Sequence, residues 1–200
     1  ARAAARRGER AATYLFEESQ NSFVHRSDAI GLDVSALRET GGLEVNPVEP
    51  LAVSADEFAH RVRTAVEERD VEFVMLDGTA GYRLALQDPD SELRAELHAL
   101  CRYLRNMGVT VLVTDEVASV TGTFQASDAH VSYLADNVVF LRYIEVDGEI
   151  RKAIGVLKKR FGSFESSLRS FHVDGDGIHV GETLSDLRGI LTGTPTRRHD

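Results

Sequence analysis

The chain has 200 residues, a net charge of −9, a single cysteine (Cys101) and no tryptophan. That length suits one domain with one core. A lone cysteine excludes an internal disulfide and fits a reducing, cytoplasmic setting. The acidic balance argues against a general nucleic-acid-binding surface, although it leaves room for a local basic patch. No apolar run approaches the roughly 20 residues of a membrane-spanning helix, and no signal peptide opens the sequence.

Taken in order, Ala1 to Arg10 is rich in helix formers and stops at Gly8, which predicts the last turns of a helix whose beginning lies upstream. Ala12 to Phe16 reads as a strand running into Glu17 and Glu18. Asn21 to Ile30 predicts a helix ended at Gly31, and Val34 to Thr40 a shorter one. The Gly41-Gly42 turn leads to a strand at Leu43 to Val45. Ser54-Ala55-Asp56-Glu57 has a capping-box pattern, in which the Ser oxygen accepts from an amide and Glu57 reaches back. Phe58, Val62, Ala65 and Val66 follow at helical spacing.

Phe73 to Leu76 is a short apolar run that stops at Asp77-Gly78, the pattern of a strand buried on both faces of a parallel sheet. Leu93, Leu97, Leu100 and Leu104 mark an amphipathic helix closed by Gly108, and Val109 to Val113 is read as another buried strand, ending at Thr114-Asp115-Glu116. Strands alternating with helices imply crossover connections and a parallel sheet. The last quarter changes character. Val138 to Val146 and Ile150 to Leu157 flank the Asp147-Gly148 turn signal, and Ser170 to Val173 and Ile178 to Val180 flank Asp174 to Gly177. These are antiparallel hairpins. The expectation is one domain over 1–196 with a polar tail at 197–200.

Three strands thus end in acids: Glu17 and Glu18, Asp77, and Asp115 with Glu116. In open α/β sheets such ends line the ligand edge. Glu17 or Glu18 could orient and deprotonate a water, and Asp77 could hold magnesium through its waters. Strand-end acids also serve simply as loop solubilisers, and the pattern by itself leaves both readings open. Twenty of the 23 basic residues are Arg, and the only lysines are Lys152, Lys158 and Lys159. Lys158-Lys159-Arg160 ends a strand, where it could neutralise phosphate or form a solvated loop. A phosphate-binding GxxxxGK[ST] loop needs an early Lys, and these 200 residues contain none.

Ser127, Asp128, His130 and Asp136 lack the strained turn of a nucleophile triad. The histidines show no ligand spacing in the sequence, which argues against a zinc site. Cys101 falls within the Leu93–Leu104 helix and reads as packing.

The ordered segments GERAATYLFEES, AIGLDVSAL, FVMLDG, SDAHVSYLADNVVFLRYIEVDGEIRKAIGVLKKR and GILTGTPTR resemble the KaiC-like branch of the RecA-fold ATPases, from about Ala11 to Arg197. The resemblance implies a RecA-like α/β fold, a mostly parallel sheet flanked by helices with C-terminal antiparallel hairpins. It implies ATP and magnesium as cofactors and a homo-oligomeric ring, a hexamer, with a signalling or regulatory output and a possible signalling-protein partner. Glu17 and Glu18 match the family's catalytic glutamate pair, and Asp77 its Walker B aspartate. Lys158 and Arg160 match the basic pair that reaches phosphates bound at the neighbouring subunit. Ser132 stands in the segment where clock members of the family phosphorylate themselves, but Tyr133 replaces the adjacent acceptor threonine, which favours plain ATPase chemistry. Phe161 departs from the family pattern, and Glu165 stands about where a nucleotide-contacting His is expected. The first strand and phosphate loop of the family are absent from these 200 residues. The expectation is poor ATP binding by this chain and exposed edges on two strands that flank the missing one. A non-catalytic interaction or scaffold subunit is the alternative.

Overall fold

The computed structural model describes residues 1–78, 82, 92–116, 134–191 and 195–197, with only the backbone of 92–94. It divides into two compact units, Ala1–Glu116 and Val117–Asp200.

The first unit begins with α1 (Arg2–Arg6), β1 (Arg10–Leu15), α2 (Gln20–Ala29), α3 (Val34–Glu39) and β2 (Leu43–Pro47). It continues with α4 (Ala55–Arg69), β3 (Val71–Asp77), α5 (Glu92–Asn106) and β4 (Thr110–Thr114). The four strands form a wholly parallel sheet in the order β2-β1-β3-β4. The side chains of β1 are shared between its two faces, as the two-residue strand period requires. Ala11 and Leu15 pack with Phe23, Val34, Leu43 and Val45 in one cluster. Tyr14 and Phe16 pack edge-on against Phe58 of α4, with ring centroids 5.2 and 5.1 Å apart. Burial pushes the Tyr14 hydroxyl up to about 12.

Local signals set the boundaries. Ser54 caps α4 by accepting the Glu57 amide at 3.2 Å. The reciprocal arm expected of Glu57 does not form, because its carboxylate pairs with Arg61 one turn on, at 2.5 Å. Gly31 and Gly108, which close α2 and α5, take φ of 70° and 77°, the left-handed conformation that suits glycine.

One expectation fails. β4 is not buried on both faces: Leu112 is 46% exposed, because β4 is the last strand of its sheet among the described residues. β3 is buried at Val71, Val74 and Leu76, while Phe73 and Met75 are half-buried.

The second unit is antiparallel. β5 (Asn137–Val146), β6 (Glu149–Lys159), β7 (Arg169–Asp174) and β8 (Gly177–Thr183) pair in sequence order. β9 (Leu187–Arg188) and β10 (Thr196–Arg197) form a separate pair. The β5–β6 turn has Asp147 and Gly148 at φ 54° and 79°, the primed geometry that matches strand twist. Ile144, Val146, Ala153, Leu187 and Ile190 make the core of this unit. Arg197 lies in β10 and pairs with Asp147. Val139, Leu141 and Tyr143, on the face of β5 opposite Phe140 and Ile144, are exposed. No helix among the described residues is long and apolar enough to cross a membrane.

Candidate functional site

Register brings the acidic strand ends level. Leu15 of β1 lies opposite Asp77 of β3, and Asp77 opposite Thr114 of β4. The Phe16 amide donates to the Asp77 carbonyl at 3.2 Å, which carries the ladder to the last residue before Glu17.

The half-buried Asp77 carboxylate is fixed from β4. The Thr114 hydroxyl donates to Asp77 Oδ1 at 2.7 Å and accepts the Gly78 amide at 2.9 Å. Gly78 is required twice over. Its φ is +97°, and a Cβ on it would lie 2.7 Å from Glu17 Oε1 and 2.9 Å from Glu17 Cδ. The Glu17 carboxylate therefore lies across the Gly78 backbone.

Glu18 has a different partner, being ion-paired with Arg26 of α2. The two adjacent glutamates, equivalent in the sequence, thus separate into one against Gly78 and one tied to a helix. Asp115 is half-buried and Glu116 exposed beyond the end of β4. The sequence reading passed over Thr114, Gly78 and Arg26. A signal for Thr114 was present, since the runs ending Leu76-Asp77-Gly78 and Val113-Thr114-Asp115 set a hydroxyl beside a carboxylate once the parallel strands align.

In the second unit, Lys158 lies opposite Val138 and is half-buried. The Lys159 ammonium donates to the Ser163 carbonyl at 2.8 Å. Arg160 is held at two points by Asp136: its amide donates to the Asp136 carbonyl at 2.8 Å, and its guanidinium pairs with Oδ1 at 2.7 Å. Glu165 pairs with Arg169 at 3.0 Å and accepts from the Ser167 amide, and the Arg169 guanidinium first, then Ser167, hold its carboxyl below its ordinary value. Glu17 and Asp77 belong to the first unit and Lys158 and Arg160 to the second. Ser127, Asp128, His130, Ser132 and Tyr133 lie outside the described residues.

Two other sequence readings meet the structure here. Cys101 is half-buried, and burial pushes its thiol up to about 11, which suits packing rather than nucleophilic attack. The histidines do not all lack ligand geometry. The β7–β8 pairing sets His172 directly opposite His179, a proximity that seven residues of sequence separation concealed.

Comparison with known proteins gives a consistent result. The family described as "ATPase: KaiC" matches residues 1–185. Circadian clock protein KaiC3 of Synechocystis is 27% identical over 188 residues, 94% of this chain and 37% of that protein. Circadian clock oscillator protein KaiC of Picosynechococcus is 22% identical over 192 residues, 96% of this chain and 37% of its own length. The KaiC of Thermostichus vulcanus is 23% identical over 190 residues, 95% and 36% respectively. The chain thus spans little more than a third of the length of these relatives. The parallel sheet flanked by helices, followed by antiparallel hairpins, is a RecA-like α/β arrangement. With the family match running through both units, this chain belongs to the KaiC ATPase family.

Proposed function

We propose that the protein hydrolyses ATP at the C-terminal edge of β1, β3 and β4, with Glu17 orienting and deprotonating the attacking water. The observation that carries this reading is the Glu17 carboxylate lying over Gly78, the residue that follows Asp77 in the chain. A general base has to reach a water next to the phosphates, and this sheet edge is where open α/β folds bind their ligands.

The donor set suits magnesium. Asp77 offers a hard carboxylate oxygen, and the Thr114 hydroxyl fixes its orientation. Asp77 would hold the ion through its waters, as a Walker B residue. When bound, the ion neutralises charge on the phosphates. The phosphates also need a cradle of backbone amides and a lysine. These 200 residues contain no GxxxxGK[ST] loop. ATP binding by these 200 residues alone would accordingly be weak.

Lys158 and Arg160 complete the reading as cations that reach the phosphates bound at a neighbouring subunit of a hexameric ring. Arg160 would then share its guanidinium between Asp136 and phosphate. Self-phosphorylation at Ser132 is not part of this proposal. The output would be signalling or regulation in the cytoplasm, in keeping with the clock functions that the relatives' names carry.

The test is the double variant Glu17→Gln, Glu18→Gln in the full-length gene product. Turnover should fall about 10²- to 10⁴-fold with nucleotide affinity retained. Undiminished turnover would remove the glutamates from the mechanism. The missing loop supports one other reading, a non-catalytic scaffold. That reading requires the full-length protein to bind no ATP in calorimetry with magnesium.

A further inference from the structure

From the β7–β8 hairpin we infer a second site, unrelated to the nucleotide: His172, Asp174 and His179 bind a divalent transition-metal ion of the zinc class.

The pairing makes the argument. His172 and His179 are cross-strand partners, so their side chains leave the same face of the hairpin. Asp174, two residues beyond His172, leaves that face too. Across from Asp174 stands Gly177, and on the far side of His179 along β8 stands Gly181, so no side chain of β8 crowds the trio. The opposite face of the hairpin is apolar, with Phe171 opposite Val180 and Val173 opposite Ile178.

The side chains converge. One ligand atom from each of the three residues lies within 4.8 Å of the others. Nε2 of His179 is 3.0 Å from Asp174 Oδ1, and Nε2 of His172 is 3.4 Å from Asp174 Oδ2. Tetrahedral zinc with bonds of about 2.0–2.1 Å places its ligand atoms about 3.3 Å apart, close to these two separations, each of which runs to a different oxygen of the carboxylate. The imidazole rings are nearly parallel, 15° apart, with centroids at 4.9 Å. The turn steadies the carboxylate, since the Asp176 amide donates to Asp174 Oδ1 at 2.9 Å.

An ordinary solvent-facing polar strand would scatter its groups outward. Here two imidazoles and a carboxylate meet at one place, and each is at least 45% exposed and open to an incoming ion. Two nitrogens and one oxygen favour zinc, nickel or copper over magnesium and calcium. Three protein ligands leave the fourth position to water.

The test uses the full chain, freed of any polyhistidine tag and stripped with chelator. Zinc chloride is titrated calorimetrically, cobalt(II) is followed by its visible absorption, and magnesium serves as the negative control. One zinc per chain should bind, and the ring signals of His172 and His179 should shift in long-range ¹H–¹⁵N spectra of the wild type. His172→Ala, His179→Ala and Asp174→Asn should each weaken binding at least about tenfold, while His60→Ala should not. Far-UV circular dichroism checks that each variant is folded. Absence of zinc binding by the wild type would overturn the proposal, as would ring shifts at other histidines or unchanged affinity in folded His172→Ala and His179→Ala.

Discussion

Glu17 and Glu18 have the same side chain and adjacent positions, yet different surroundings, and the proposed mechanism gives them different work. Glu17 lies over Gly78, whereas Glu18 is bound by Arg26. In full-length protein, Glu17→Gln alone should account for most of the turnover lost in the double variant, and Glu18→Gln for a small part. Single-turnover assays of the two variants decide this, and equal losses would count against the assignment. Gly78→Ala tests the same contact from the other side. An alanine at φ +97° is strained, which should cost about 1–3 kcal/mol in denaturant unfolding. The added methyl should also displace the Glu17 carboxylate and lower turnover beyond what the stability loss explains. Sequence reading located both glutamates because an apolar run visibly ended there. It could not separate them, because Arg26 and Gly78 are fixed by tertiary contacts that neighbouring residues do not encode.

At the scale of elements, the buried strands and amphipathic helices were legible because periodicity and glycine punctuation are local properties. Leu97, Leu100 and Leu104 are buried as their spacing requires. β4 was misread for the complementary reason: whether an apolar strand is central or at an edge depends on its neighbours. The capping box on α4 was half right, since Glu57 had a closer partner in Arg61. These elements are not equally important to the site. Phe58 is 1% exposed, and its ring meets those of Tyr14, Phe16 and Tyr82 at centroid distances of 5.2, 5.1 and 5.4 Å. Phe16 immediately precedes Glu17, so this cluster anchors the strand end that presents the glutamate. Phe58→Ala should destabilise the protein by about 3–5 kcal/mol. Ser54→Ala, which removes only the cap, should cost about 1 kcal/mol. Thermal melts of the two variants should preserve that order, and a cap variant as damaging as the core variant would contradict the packing account.

At the scale of the whole molecule, Glu17 and Asp77 belong to one unit and Lys158 and Arg160 to the other. The expectation of one domain over 1–196 treats them as a single machine, and the ring proposal divides that machine between neighbouring subunits. The two arrangements predict different behaviour in mixtures. If Arg160 acts on the neighbour's nucleotide, Glu17→Gln and Arg160→Ala damage different halves of each interface. A ring that mixes the two can regenerate an intact interface, with Glu17 from the Arg160→Ala subunit and Arg160 from the Glu17→Gln subunit. With equal, random mixing about one interface in four is restored, so activity should rise toward about a quarter of the wild-type value although each variant alone is impaired. If Arg160 acts within its own subunit, no mixture can exceed the average of the two variants. The mixing curve also reports on assembly, because recovery across an interface should disappear on dilution into monomers. Recovery that survives dilution to monomers would contradict a shared site, and a flat curve would return Arg160 to a role within its own chain, alongside Asp136.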